Sequence, residues 1–265
     1  MTTVVGFKVP DGIVLGADSA MTVTRSLGDN RYDSYHKLSV VCGLPIATAM
    51  WGRGALGQRT VPSMVEEFSV EKAMLRATAW SVEDVATELW RFMQAQHDAL
   101  PPQGGQVPLH MLVAGYSKGS YHGQMWRFDI PGDGPKLHAD LKALTISWFG
   151  VTEGIQTLWW GHSPALHEVL TEEGVPHDVV HRVVRKLRER SALGPERLDF
   201  GMPLQNAVDL VAFLIGVEVT RERYTPGLAR SAPPLDLLVV RPGGVHWVQR
   251  KELIAPPTLL GGFLP

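Results

Sequence analysis

Thr2-Thr3-Val4-Val5-Gly6-Phe7, followed shortly by Asp11-Gly12-Ile13-Val14-Leu15-Gly16-Ala17-Asp18-Ser19, opens the chain. Val4 to Phe7 and Gly12 to Ala17 are short apolar runs, and Pro10-Asp11-Gly12 between them is a turn signal. The chain therefore begins with a β-hairpin. Beyond it, residues 22–35 are polar and contain Gly28-Asp29-Asn30, which reads as a loop. Leu38 to Cys42 and Ile46 to Met50 read as two more strands around Gly43-Leu44-Pro45.

The period then changes. Over about 54–69 and 82–98, apolar residues recur at three and four, as in Val82, Val85, Ala86, Leu89, Phe92 and Met93, which predicts helices. Ser81, with Asp84 three residues later, predicts an N-cap, and Pro101-Pro102-Gln103-Gly104-Gly105 ends that helix. Strands return at 109–115, 122–130 and about 143–149, with Pro131-Gly132-Asp133-Gly134-Pro135 as a turn. Helical patterns follow at about 152–160, 164–173, 177–190 and 204–223, then strands at 235–241 and 245–250 and an extended tail from Ala255 to Pro265. Blocks of strands alternating with blocks of helices mark an α+β layered fold built on antiparallel hairpins, not a series of βαβ units.

At 265 residues and 45% hydrophobic, one core and one domain spanning 1–265 is the expectation. Lys plus Arg at 25 against Asp plus Glu at 27 argues against nucleic acid or an anionic membrane as the main partner. A single Cys42, in the apolar run from Leu38, excludes a disulfide framework or cysteine metal site and reads as a core residue. It suits a reducing cytoplasm. The start lacks the basic and apolar regions of a signal peptide, and no run approaches the roughly 20 apolar residues of a membrane span. The expectation is a soluble cytoplasmic protein. Eight tryptophans offer an apolar surface for subunit contacts, although Trp159-Trp160 also reads as helix packing.

Three places could carry chemistry. Gly115-Tyr116-Ser117-Lys118-Gly119 matches a nucleophile elbow, which needs a helix after the serine. Ser120 to Phe128 instead alternates like a strand, so Gly119 reads as a hairpin turn. His177-Asp178-Val179-Val180-His181 places two imidazoles on one helix face, as zinc ligands are placed. No third ligand suggests itself, and Pro176-His177-Asp178 reads as a helix start with an acid in its first turn. The third place is the N-terminus. Removal of Met1 would free the α-amine of Thr2, with a reference pKa of about 7.7–8. That amine can take the proton of the neighbouring hydroxyl and make threonine a nucleophile without histidine. The chemistry also needs a cation near the amine, an acid to hold that cation, and a backbone N–H for the oxyanion.

The opening string resembles the mature N-terminus of proteasome β subunits, where two threonines begin the first strand, a D-G turn follows, and the second strand ends in A-D-S. On that resemblance Thr2 is the nucleophile, Asp18 orients the catalytic lysine, Lys37 in His36-Lys37-Leu38 is that lysine, and Gly52 in Ala47-Thr48-Ala49-Met50-Trp51-Gly52 is the oxyanion donor. Trp51 departs from the small residue usual there. Val113-Ala114-Gly115-Tyr116 is similar to the family's central hairpin, and Met202 to Val208 to the start of its last long helix. Glu222 and Thr225, in Glu222-Arg223-Tyr224-Thr225, stand for the family's supporting acid and serine. A helical insertion at about 160–200 and Pro233-Pro234-Leu235-Asp236-Leu237-Leu238-Val239 resemble a bacterial proteasome-like branch, the ancestral-β-subunit group. The resemblance implies a four-layer α-β-β-α sandwich with two antiparallel sheets and a threonine-type peptidase or amidohydrolase working through an acyl-enzyme. It implies a homo-oligomeric ring or open assembly and a peptide or amide substrate, needs no cofactor or metal, and leaves any ATPase partner unnamed. The alternative is a catalytically silent assembly subunit of the same family.

Overall fold

Two five-stranded antiparallel sheets, one of them built around the first hairpin, form the computed structural model, which describes residues 2–25, 28–76, 79–101, 107–139, 144–191, 193, 198 and 201–253. Strands β1 (Thr3–Val9) and β2 (Gly12–Ala17) pair with Val9 opposite Gly12 and Val4 opposite Ala17. Every residue of both is buried, because both faces of the hairpin are covered. Val4, Ile13 and Leu15 enter one apolar cluster, while Val5, Phe7 and Val14 enter another, as strand alternation requires.

The remaining described strands are β3 (Met21–Arg25), β4 (Gly28–Tyr32), β5 (Leu38–Val40), β6 (Ile46–Gly52), β7 (Ala55–Leu56), β8 (Arg59–Thr60), β9 (Leu109–Tyr116), β10 (Gly123–Ile130), β11 (Lys136–Ala139), β12 (Thr145–Gly150), β13 (Asp236–Arg241) and β14 (Gly244–Gln249). The first sheet runs β12-β1-β2-β13-β14 and the second β11-β10-β9-β6-β5, with antiparallel ladders throughout. The described α-helices are α1 (Val61–Glu71), α2 (Val82–Asp98), α3 (Glu153–Trp160), α4 (Leu166–Glu172), α5 (His177–Arg190) and α6 (Leu204–Tyr224).

Three apolar clusters bind these parts. Met64, Phe68, Leu89 and Met93 of α1 and α2 pack with Met111, Val113 and Phe128 of the second sheet. Leu112, Ala114 and Met125 from that sheet's other side meet Val4, Ile13 and Leu15 of the first. Ile155 and Trp159 of α3, with Val211, Leu214 and Ile215 of α6, close over Val5, Phe7 and Val14. The fold is thus a mixed α and β structure with antiparallel sheets. No described helix is long and apolar enough to cross a membrane.

Several expectations need correction. Residues 22–35 are not simply a loop, because Met21–Arg25 and Gly28–Tyr32 form a two-stranded hairpin. None of the described side chains in its strands is buried, so the apolar face from which a strand is read is missing among them. The helix expected from about 54 begins only at Val61, after the small β7–β8 hairpin, with Thr60 as N-cap and a proline in the first turn. Strand β11 pairs at the sheet edge with an exposed Lys136, Leu137 and His138, a pattern too polar to read as a strand. The tryptophans do not form an exposed patch: none of the eight is exposed. Trp159 is fully buried and its ring centroid lies 5.2 Å from that of Trp148, the packing role read for it. The tail from Ala255 and most of the linker after Pro101 lie outside the described residues.

Helix α2 starts where its cap dictates. Ser81 Oγ accepts from the Asp84 N–H at 3.0 Å, and the Asp84 carboxylate accepts from the Ser81 N–H at 3.0 Å, closing a capping box. Ser81→Ala is expected to lower stability by about 1 kcal/mol, read as a shifted urea midpoint at unchanged slope.

Candidate active site

Asp18 follows β2 directly, and its fully buried carboxylate is a gathering point. Oδ1 accepts from the Thr3 N–H at 2.8 Å and from Lys37 Nζ at 2.6 Å. Oδ2 accepts from the N–H groups of Ala20 at 2.9 Å and Ala232 at 3.0 Å. Three backbone donors and one ammonium occupy both oxygens, which offsets the cost of removing this charge from water.

Lys37 stands just before β5, and its backbone is fixed because the Met50 N–H donates to its carbonyl at 3.0 Å. Only 1% of its side chain is exposed. Burial pushes the ammonium below its usual pKa, and attraction to Asp18 opposes that shift without cancelling it. Asp18 and Lys37 therefore meet in the interior.

Thr2 is buried at the head of β1, and the Val151 N–H donates to its carbonyl at 2.7 Å. The contact is tight: Gly150 has φ +83°, and a Cβ there would lie 1.8 Å from the Thr2 carbonyl oxygen. Gly52, at the end of β6, also has positive φ, +80°, and a Cβ there would stand 2.3 Å from the Pro108 carbonyl oxygen. Both sites admit only glycine without displacement of backbone.

One small cleft brings these residues together, lined by Thr2, Lys37 and Gly52 with Tyr35, Met50 and Gly54 among their neighbours. Trp51 does not enter it. Alternation along β6 turns the indole between the sheets, where it stacks on Phe149 at 4.2 Å and 13°. A roomier cleft of about 540 Å³ near Arg127, Asp129, Lys136 and His138 contains none of the candidate residues.

Glu222 and Thr225 stand apart from the cleft lining. Glu222 is buried and binds Arg230, accepting from its backbone N–H at 2.7 Å and from its guanidinium at 2.8 Å. These donors, with Arg221, hold its carboxyl below the ordinary range against the opposing effect of burial. Thr225 Oγ1 donates to the Arg221 carbonyl at 3.1 Å and closes the end of α6. Glu222 thus anchors the segment whose Ala232 donates to Asp18. Between them, Ser231 is buried, and its hydroxyl has no hydrogen-bond partner among the described residues.

A second buried ion pair was not singled out in the sequence. Lys251 Nζ lies 2.5 Å from Asp236 Oδ2 and donates to the Tyr35 carbonyl at 3.0 Å. Asp236 sits opposite Ala17 in the ladder, one residue from Asp18. Its signal was a lone acid in the apolar run Leu235 to Val240, since a fully buried carboxylate needs a partner.

The other two candidate places resolve differently. Ser117 is followed by a turn and then β10, so the elbow lacks its helix, and Ser117 Oγ accepts from the Val82 N–H instead. His177 and His181 are exposed on α5, but the expectation that they lack a third ligand is overturned. The fold brings His167 of α4 to them.

No protein-family model and no curated protein sequence matches the chain. Solved structures do. Anbu, an ancestral beta-subunit, from Yersinia bercovieri is similar with a TM-score of 0.57 at 12% identity, covering 93% of this chain and 87% of that one. A Gly-1 mutant of Anbu from Hyphomicrobium sp. strain MC1 is similar with a TM-score of 0.59 at 14% identity, covering 95% and 87%. At such identity the likeness is one of fold.

Removing one partner of the Asp18–Lys37 pair strands the other in the interior. Lys37→Met is expected to cost about 3–5 kcal/mol in urea unfolding. Asp18→Asn with Lys37→Met is expected to cost less than the sum of the single changes, by about 0.5–3 kcal/mol. Strict additivity would mean that the two charges do not interact.

Proposed function

We propose that the chain is a proteasome-like N-terminal-nucleophile hydrolase in which Thr2, freed by removal of Met1, cleaves a peptide or other amide bond. The observation that carries this reading is the shared cleft of Thr2, Lys37 and Gly52, with Asp18 bound to Lys37. In this reading residues 1–265 form one domain whose layers run helices, sheet, sheet, helices, and the segment at about 160–200 is an addition to the common plan.

Each residue has a defined task. The α-amine of Thr2 accepts the hydroxyl proton as Oγ1 bonds to the substrate carbonyl carbon. The carbonyl oxygen gains the negative charge, and the Gly52 N–H stabilises it. The amine then passes its proton to the leaving amine as the C–N bond breaks, leaving an ester on Thr2. Water, deprotonated by the same amine, attacks that ester and restores the threonine. The Lys37 ammonium keeps the neighbouring amine short of protons, and Asp18 fixes its position. Glu222 and Thr225 act at a distance, by holding the segment that leads to Ala232. Trp51, turned away, does not obstruct the cleft. No Lewis acid takes part, so a chelator is expected to leave hydrolysis unchanged.

The likeness to ancestral beta-subunits and the resemblance of the N-terminal string support self-assembly into a ring or open homo-oligomer. Cytoplasmic residence is part of the same reading, supported by a sequence with a single cysteine, the buried Cys42.

Intact mass first establishes whether Met1 has left. On a panel of fluorogenic peptides, Thr2→Ala is then expected to lower the rate about 1,000-fold or more, and Lys37→Ala nearly as much. Thr2→Ser is expected to keep part of the activity, because a primary hydroxyl still attacks. Wild-type rates in Thr2→Ala would overturn the mechanism, and a Met1-free chain without hydrolysis would favour the silent assembly subunit. Sedimentation at micromolar concentration is expected to give an oligomer; a monomer would remove the assembly.

A further inference from the structure

His167, His177 and His181 are exposed and converge where α4 folds back against α5. One ligand nitrogen from each lies within 4.8 Å of the others. His177 Nε2 and His181 Nε2 are 3.2 Å apart. Tetrahedral coordination at about 2.0–2.1 Å sets neighbouring ligand nitrogens roughly 3.3 Å apart, so this pair already has the spacing of two ligands on one ion. Their placement follows from sequence, since residues four apart share a helix face. His167 comes from the other helix, with its ring centroid 5.8 Å from that of His177 and 5.5 Å from that of His181. The ring planes stand at 82° and 69° to those two, so the imidazoles meet edge-on and do not stack.

We propose that His167, His177 and His181 form a binding site for a divalent transition metal ion, zinc in the first instance, that staples α4 to α5. Three neutral imidazoles suit zinc, copper or nickel and suit magnesium or calcium poorly. The site is open to solvent, which leaves the fourth position to water. A direct hydrogen bond between His177 and His181 explains two of the rings, but it gives no part to His167.

The two helices make the gain plain. None of the seven residues of α4 is buried, and no side chain caps its start, so little in its own packing fixes it. Helix α5 is better seated through buried Val180 and Val184. An ion held by one ligand from α4 and two from α5 ties the loose helix to the fixed one and stabilises the folded chain by mass action. None of the three histidines lines the cleft of Thr2 and Lys37, so this site stands apart from the proposed hydrolysis.

The test uses the full chain without a histidine tag, stripped of metal and titrated with zinc by calorimetry. One ion per chain is expected, with a raised melting temperature, and cobalt is expected to give the visible spectrum of a tetrahedral site. His167→Ala is expected to weaken zinc binding about 100-fold or more and to abolish the stabilisation, since even loss of a supporting partner costs about 10–100-fold. Because the residue is exposed, this variant keeps its fold, which circular dichroism checks. Absence of zinc binding by the wild-type chain would overturn the proposal. So would unchanged affinity in His167→Ala, which would reduce the site to an ordinary helical histidine pair.

Discussion

A carboxylate and an ammonium buried against each other set the terms for this end of the molecule. Taking Asp18 and Lys37 out of water costs several kcal/mol for each ion, on the order of what a whole domain retains as net stability. The cost is met by geometry. Lys37 approaches to 2.6 Å, and the N–H groups of Thr3, Ala20 and Ala232 fill the remaining positions on the carboxylate. Each donor belongs to a different part of the chain, so satisfying one charge fixes the first strand, the turn after the second and the approach to β13. Asp236 and Lys251 repeat the arrangement one residue along the ladder, and the two pairs lie close enough that the charge of Lys251 disfavours the Lys37 ammonium while Asp18 favours that of Lys251.

The positions of the candidate residues follow from strand ends and backbone contacts, not from side-chain packing alone. Thr2 is held through its carbonyl by Val151, just after β12, Lys37 through its carbonyl by β6, and Gly52 by the closeness of Pro108. Backbone contacts of this kind tolerate little movement, because neither partner can change rotamer. Alternation along β6 places Met50 and Gly52 in the cleft and turns Trp51 away, so a bulky residue beside the cleft does no harm. Its stacking on Phe149 contributes instead to the join between the sheets, about 0.5–1.5 kcal/mol beyond the area it buries.

The sequence was most legible where local physics decides. The opening hairpin, helix α2 with its capping box, and the long α6 follow from turn chemistry, caps and period. The hairpin at Met21–Tyr32 and edge strand β11 were not legible, because their strands are held by backbone pairing and largely lack the buried face on which strand reading depends. The meeting of Asp18 and Lys37 was legible through the resemblance of the opening string to proteasome β subunits, not through any local signal. Glu222 and Thr225 lie outside the cleft lining: Thr225 closes the end of α6, and Glu222 holds Arg230, two residues before the Ala232 that donates to Asp18. Asp236 with Lys251, and His167 with the α5 pair, are not legible in the sequence for one reason. Each partnership is made by chain reversal, which side-chain spacing along a single element does not reveal.

The hydrogen bond from Ala232 to Asp18 spans 214 residues, and that separation has a consequence during synthesis. At about 5–20 residues per second, Asp18 leaves the ribosome roughly 10–40 s before its last donor does. Throughout that interval the first hairpin lacks β13 on one edge, until Gly150 is made it also lacks β12 on the other, and both of its faces are apolar. A bare two-sided hairpin of this kind readily joins the wrong neighbour, including the same hairpin of another nascent chain. The demand falls on whatever shelters the growing polypeptide, and slowing translation late in the message would lengthen the exposure.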